Sequence, residues 1–198
     1  MAKAPVAGRV KTGLCPPCSP EEAAALAEAA LADTLDVLAA LPARRHVWAL
    51  DGPAQLRVPS PFGLIPQRGD GLGERLASAF EDVGGPALLV GMDTPQLSAS
   101  LLRAAVSTLM TPGIDAVLGP AADGGYWAIG LHEARREVFD GVPMSTPGTG
   151  AAQVRQLRLL GLRTMLLPPL EDVDDIASAR AVARLAPHTR FAARLLGG

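Results

Sequence analysis

Pro86-Ala87-Leu88-Leu89-Val90-Gly91-Met92-Asp93-Thr94-Pro95 is the stretch on which the fold turns. An uncharged, mostly aliphatic run stops at a carboxylate and a proline. Such a run reads as a central strand covered on both faces, the situation of a parallel sheet between helices. Before it, Leu72, Leu76, Phe80 and Val83 give one apolar face to a helix. After it, Ser98 caps a second helix with Leu102, Ala105, Val106 and Leu109 inward.

The pattern continues in both directions. Toward the carboxyl end, strands are expected at Ile114–Leu118, Tyr126–Leu131 and Arg163–Leu167. Helices are expected over 133–139, over 151–160, up to about Leu185, and as a tail within 187–198. Toward the amino end, Gly63–Pro66 and His46–Leu50 read as short strands, with a turn at Asp51-Gly52-Pro53 and irregular chain over 54–62. Ser19-Pro20-Glu21-Glu22 opens a helix that Pro42 closes: Ser19 is the cap, Pro20 suits the first position, and Glu22 completes a capping box. Residues 2–18, broken by Pro5, Gly8, Gly13, Pro16 and Pro17, read as one long loop. Strands that alternate with helices imply an α/β fold with a mostly parallel sheet, in a single domain spanning 1–198.

The composition excludes several classes. With 48% hydrophobic residues and a net charge of −2, the chain offers no polybasic surface for nucleic acid or anionic lipid. No apolar run is as long as a membrane span, and the start lacks the apolar segment of a signal peptide. A soluble, cytoplasmic protein is expected. The only cysteines lie in Cys15-Pro16-Pro17-Cys18. Zinc would need two further ligands, and His46, His132 and His188 are scattered. A thioredoxin-like site would need a strand immediately before the pair. Two small, partly buried thiols are the expected reading.

Of 18 basic residues only Lys3 and Lys11 are lysines. Where arginine is used everywhere else, two lysines around Gly8 and Arg9 suggest a place that needs a compact ammonium. Together with loop N–H groups they suit phosphate oxygens. The spacing is not that of a P-loop, and Gly69–Gly73 is not a dinucleotide fingerprint. In α/β sheets ligands bind beyond the carboxyl ends of strands. The Lys3–Thr12 loop, the Gly69–Gly73 loop, the Asp93 corner and the Asp123-Gly124-Gly125 turn are expected there. A carboxylate that ends a buried strand is costly unless paired or on a metal, so Asp93 is a candidate magnesium ligand. Asp174, Asp172 and Asp123 are candidate partners, although Asp174 and Asp175 also suit helix capping.

In order along the chain, A-K-A-P-V-A-G-R-V-K-T, G-D-G-L-G-E-R-L, G-M-D-T-P, G-P-A-A-D-G-G-Y-W-A-I-G-L and D-V-D-D resemble the motifs of radical-SAM/selenodomain-associated transferase 1, also labelled arsenosugar-biosynthesis glycosyltransferase-like. The resemblance implies a three-layer GT-A (nucleotide-diphospho-sugar transferase, Rossmann-like) fold, the fold also of the guanylyltransferases for 2-phospholactate and molybdopterin. It implies that Lys3, Gly8, Arg9 and Lys11 hold nucleotide phosphates, and that Asp70, Gly71 and Gly73 lie near base and ribose. It further implies that Asp93 binds Mg2+ or Mn2+ with Asp174, and that Asp123, Gly124, Gly125 and Tyr126 border the acceptor. Arg9, Lys11 and Asp93 are then the expected catalytic groups. The expected reaction is nucleotidyl transfer from a nucleoside triphosphate to a small phosphorylated acceptor, releasing pyrophosphate. Glycosyl transfer from a nucleotide sugar and a catalytically impaired nucleotide-binding protein are the alternatives. Two departures stand out: the family's apolar first strand is truncated to what Met1 can supply, and its K-T-R-L is K-T-G-L here, with Gly13 in place of the cation.

Overall fold

The computed structural model describes residues 1–52 and 58–197; Pro53 of the expected turn and residues 54–57 of the irregular stretch expected over 54–62 lie outside them. In chain order the elements are β1 (Ala2–Lys3), α1 (Pro20–Ala39), β2 (His46–Asp51), β3 (Phe62–Pro66), α2 (Leu72–Val83), β4 (Ala87–Val90), α3 (Ala99–Leu109), β5 (Ala116–Pro120), β6 (Tyr126–Leu131), α4 (Thr149–Leu159), β7 (Thr164–Leu166), α5 (Ile176–Leu185) and α6 (Arg190–Leu196). Short 3-10 turns add Thr12–Leu14 and Arg136–Val138. The chain divides into two compact units. One comprises Met1–Leu64, Gly91–Leu102 and Glu171–Gly198; the other comprises Ile65–Val90 and Arg103–Leu170.

The first unit holds the sheet β1-β2-β3. Residues 2–18 are therefore not all loop: Ala2 and Lys3 form a strand parallel to Leu50 and Asp51. Two residues are too few to show a sequence period, so pattern alone does not reveal this strand. Ala2, Leu31, Trp48, Leu50 and Met92 build one core cluster. Leu14, Leu26, Val173, Val182 and Phe191 build a second. The capping box at Ser19 and Glu22 forms as expected. Asp33 of α1, almost fully buried, accepts the N–H groups of Arg190 and Phe191 at 3.1 and 2.9 Å. A buried carboxylate is tolerable there because it satisfies the free donors at the start of α6.

Asp175 caps α5 with a reciprocal Ser178 contact. The Ser178 N–H holds the Asp175 carboxyl below its ordinary value. A depressed carboxyl stabilises the fold above its unfolded value and loses that contribution as pH falls through its folded value. Asp175→Asn is therefore expected to lower the thermal midpoint at neutral pH. The gap from the parent should close in strong acid, as followed by circular dichroism across pH; a gap independent of pH would refute the charge argument.

The second unit holds the sheet β4-β6-β5-β7. It is mixed: β6 runs antiparallel to β4 and β5, and only β7 is parallel to β5. Because β4, β5 and β7 all run against β6, the expected mostly parallel sheet is present with one reversed strand, β6, which the Ala121–Gly125 turn sends back as a hairpin. The most buried strands of this sheet are β5 and β6, while Ala87, Leu88 and Leu89 of β4 are half buried. The chain between β6 and α4 makes a 3-10 turn at Arg136–Val138 where a short helix over 133–139 was expected. Gly119 is required by packing. A Cβ there would lie 2.3 Å from the Trp127 indole, whose N–H reaches the Pro168 carbonyl at 3.0 Å.

Candidate functional site

The first unit brings Lys11 and Asp93 together. Lys11 Nζ lies 2.5 Å from Asp93 Oδ1 and also donates to the Val173 carbonyl. The Lys11 side chain is 9% exposed and that of Asp93 45%, so the ammonium sits inward of the carboxylate that it neutralises. Val173 in turn donates its N–H to the Asp93 carbonyl at 2.9 Å. Three stretches far apart in sequence are thus pinned at one point. A compact, three-donor ammonium can serve two acceptors in such a slot, whereas a guanidinium is wide and planar.

The backbone pays for this placement: Lys11 has φ 50° and ψ 36°, left-handed for a residue with a side chain. Gly8 is also left-handed, with φ +74° and open space around it, so conformation alone selects glycine. Gly13 has a different reason. A Cβ there would stand 2.3 Å from the Asp174 carbonyl oxygen. The Thr12–Leu14 turn presses directly against the Asp172–Asp175 segment and leaves no room for the arginine of K-T-R-L. Lys3 and Arg9 are exposed; no partner of either side chain is seen among the described residues.

Asp174 is exposed and Asp172 half buried, and their carboxylates offer oxygens within 4.8 Å of one another. These hard oxygen donors fit Mg2+ or Mn2+. Asp93 belongs to no group of three metal-capable side chains at that spacing among the described residues. Its first partner is Lys11.

The second unit places the glycine-rich loop at the start of α2. Gly71 is the cap and supplies no side-chain bond, while Glu74 accepts the Asp70 N–H at 2.8 Å. Gly71 and Gly73 line a cavity of about 340 Å3 with Arg136, Phe139, Val142 and Met144. Arg136 is held on Glu81 through two bonds of 2.8 and 2.9 Å.

In the Asp123 turn, Asp123 Oδ1 accepts the Gly125 N–H at 2.6 Å. Gly124 has φ +89°, and a Cβ there would meet the Pro147 carbonyl at 2.0 Å. The Tyr126 hydroxyl lies 3.3 Å from Gln153 Oε1, and Gln153 Nε2 donates to the Val138 carbonyl at 2.7 Å. Burial pushes the Tyr126 phenol far above its ordinary value. Sequence reasoning missed Gln153 and the Val173 carbonyl. A glutamine within a helix carries no signal of its own, and a carbonyl is common to every residue.

This arrangement of strands and helices is an α/β, GT-A-like fold. The chain matches a crystal structure from Desulfovibrio desulfuricans G20, described as a "putative nucleotide-diphospho-sugar transferase", with a TM-score of 0.86 and 28% identity over 98% of this chain and 91% of that one. A homologue of Mycobacterium tuberculosis rv0371c from Mycobacterium sp. strain JC1 shares the fold at a TM-score of 0.51 and 19% identity, covering 79% of this chain and 83% of that one. The chain belongs to the family described as "Uncharacterized protein conserved in bacteria (DUF2064)", whose model matches residues 25–146. That span includes Asp70–Gly73, Asp93 and Asp123–Tyr126 and leaves out the lysine loop. No curated protein matches the chain. No helix among the described residues is long and apolar enough to cross a membrane.

Proposed function

We propose that this chain is a transferase that grips a nucleotide-activated donor by its diphosphate. The observation that carries this reading is the Lys11 ammonium set on Asp93, with Lys3 and Arg9 exposed on the same short amino-terminal segment. Paired and exposed cations around loop N–H groups suit a leaving diphosphate, whose growing charge they would stabilise. Asp93 and Asp174, with Asp172 beside the latter, are the residues that would hold Mg2+ or Mn2+. A bound divalent ion would add Lewis-acid neutralisation of the phosphate oxygens. Asp70, Gly71 and Gly73 would take the base and ribose at the cavity walled by Phe139 and Met144. The Asp123–Tyr126 turn would border the acceptor, with Tyr126 serving through its bond to Gln153 rather than as a proton donor.

The likeness to the Desulfovibrio protein favours glycosyl transfer from a nucleotide sugar, and the resemblance to the radical-SAM-associated transferases supports the same reading. Nucleotidyl transfer from a nucleoside triphosphate is the second reading. It rests on the same cationic loop, since a phosphorylated acceptor needs no general base. The protein would be incubated with Mg2+, small hydroxyl or phosphate acceptors, and either nucleotide sugars or nucleoside triphosphates. Acceptor-dependent release of nucleoside diphosphate is the expected result. Release of pyrophosphate instead establishes nucleotidyl transfer. Binding without either product reduces the chain to a nucleotide-binding protein, and absence of binding defeats the proposal.

A further inference from the structure

We infer that Cys15 and Cys18 form a reversible intramolecular disulfide, a redox-modification site on the turn that follows Lys11. Both thiols are free and half buried, and both lie against one core cluster, that of Leu14, Val173 and Phe191. The chain between them is closed into a turn by the Cys18 N–H on the Leu14 carbonyl at 3.0 Å. Among the described residues neither sulfur belongs to a group of three metal-capable side chains. The turn is continuous with the site: the Leu14 N–H donates to the Lys11 carbonyl at 2.9 Å and the Cys15 N–H to the Thr12 carbonyl at 3.1 Å. A covalent link across residues 15–18 therefore restrains the segment that sets Lys11.

Burial, the Glu22 carboxylate and Cys15 itself push the Cys18 thiol up. Cys18 is therefore the poorer attacking group, and the first attack, on a low-molecular-weight disulfide such as oxidised glutathione, is assigned to the Cys15 sulfur, which expels one glutathione thiolate. Cys18, as thiolate, then attacks the Cys15 sulfur and expels the other. Two protein thiols give up two electrons and two protons, and one glutathione disulfide becomes two glutathione thiols. The reaction draws on no nucleotide, so its test does not depend on the transferase reading.

The full chain would be equilibrated in mixtures of oxidised and reduced glutathione, quenched in acid, and examined by thiol titration and intact mass. The expected product has lost both thiols and two hydrogens, carries no glutathione, and returns to the dithiol on reduction. Cys18→Ser should stop at a single glutathione adduct on Cys15, and Cys15→Ser should form its adduct on Cys18 more slowly. Hydrogen exchange of the Leu14, Cys15 and Cys18 amides should slow on the order of tenfold in the oxidised protein, the scale of closing a four-residue loop, and should not slow in Cys15→Ser. Two persistent thiols, or two glutathione adducts on the parent chain, would overturn the disulfide. A disulfide that leaves those amides unchanged would overturn its hold on the Lys11 segment.

Discussion

Lys11→Met is expected to lose nucleotide-dependent turnover by about 100- to 1,000-fold, the scale of removing one preorganised electrostatic partner of a reacting group. The same substitution should also weaken the fold. It deletes a charge-assisted hydrogen bond to the Val173 carbonyl and strands that acceptor, a loss of about 1.5–3 kcal/mol. The ion pair with Asp93 adds little to this, because that carboxylate is nearly half exposed and water screens it. Lys11→Arg should rescue neither property, since a planar fork does not fit a slot that leaves 9% of the side chain exposed. Lys11→Gly separates the contributions. It relieves the left-handed backbone and should recover about 1 kcal/mol relative to methionine, yet leave nucleotide affinity as low. Urea unfolding with nucleotide titration would measure both. A Lys11→Met protein that is fully stable and fully active would remove the amino-terminal cradle from the site.

Gly13→Arg, which recreates the K-T-R-L pattern, should harm rather than help. The obstacle is the first carbon of any side chain, 2.3 Å from the Asp174 carbonyl oxygen. Backbone cannot swing aside as a flexible side-chain tip can, so the Asp172–Asp175 segment has to shift, at about 1–3 kcal/mol for an overpacked position. That shift draws the Val173 carbonyl from Lys11, and nucleotide binding should fall with stability. Gly13→Ala should reproduce most of the loss in stability, because the clash begins at Cβ. A Gly13→Arg protein with unchanged urea midpoint and tighter nucleotide binding would show that the segment has another place to go, and the packing argument would fail.

These two residues also mark how far the sequence could be read. The helices were legible where capping chemistry and apolar spacing agree, as at Ser19–Glu22 and at Ser98, whose hydroxyl accepts the Leu101 N–H. Strands β2, β3 and β6 fell within a residue or so of their expected bounds. Strand β1 was not legible, since two residues carry no period. Nor was the mixed character of the second sheet, because strand direction depends on pairing that local pattern does not encode. Among the candidate site residues, the lysine bias and the charge after a greasy strand pointed to Lys11 and Asp93 individually. Their place at one sheet edge was expected; the direct ion pair between them, and the carbonyl of Val173 beside it, had no sequence signal.

The sequence by itself determined the alternation of helices and strands, and which polar residues had to be explained: two lysines where arginine is the habit, and a carboxylate at the end of an apolar run. Only the tertiary structure decided what those residues do for one another. An ammonium chooses its acceptors by distance, and a glycine is required by whatever carbonyl approaches it. Both are settled by parts of the chain some 80 to 160 residues away, beyond the reach of local spacing.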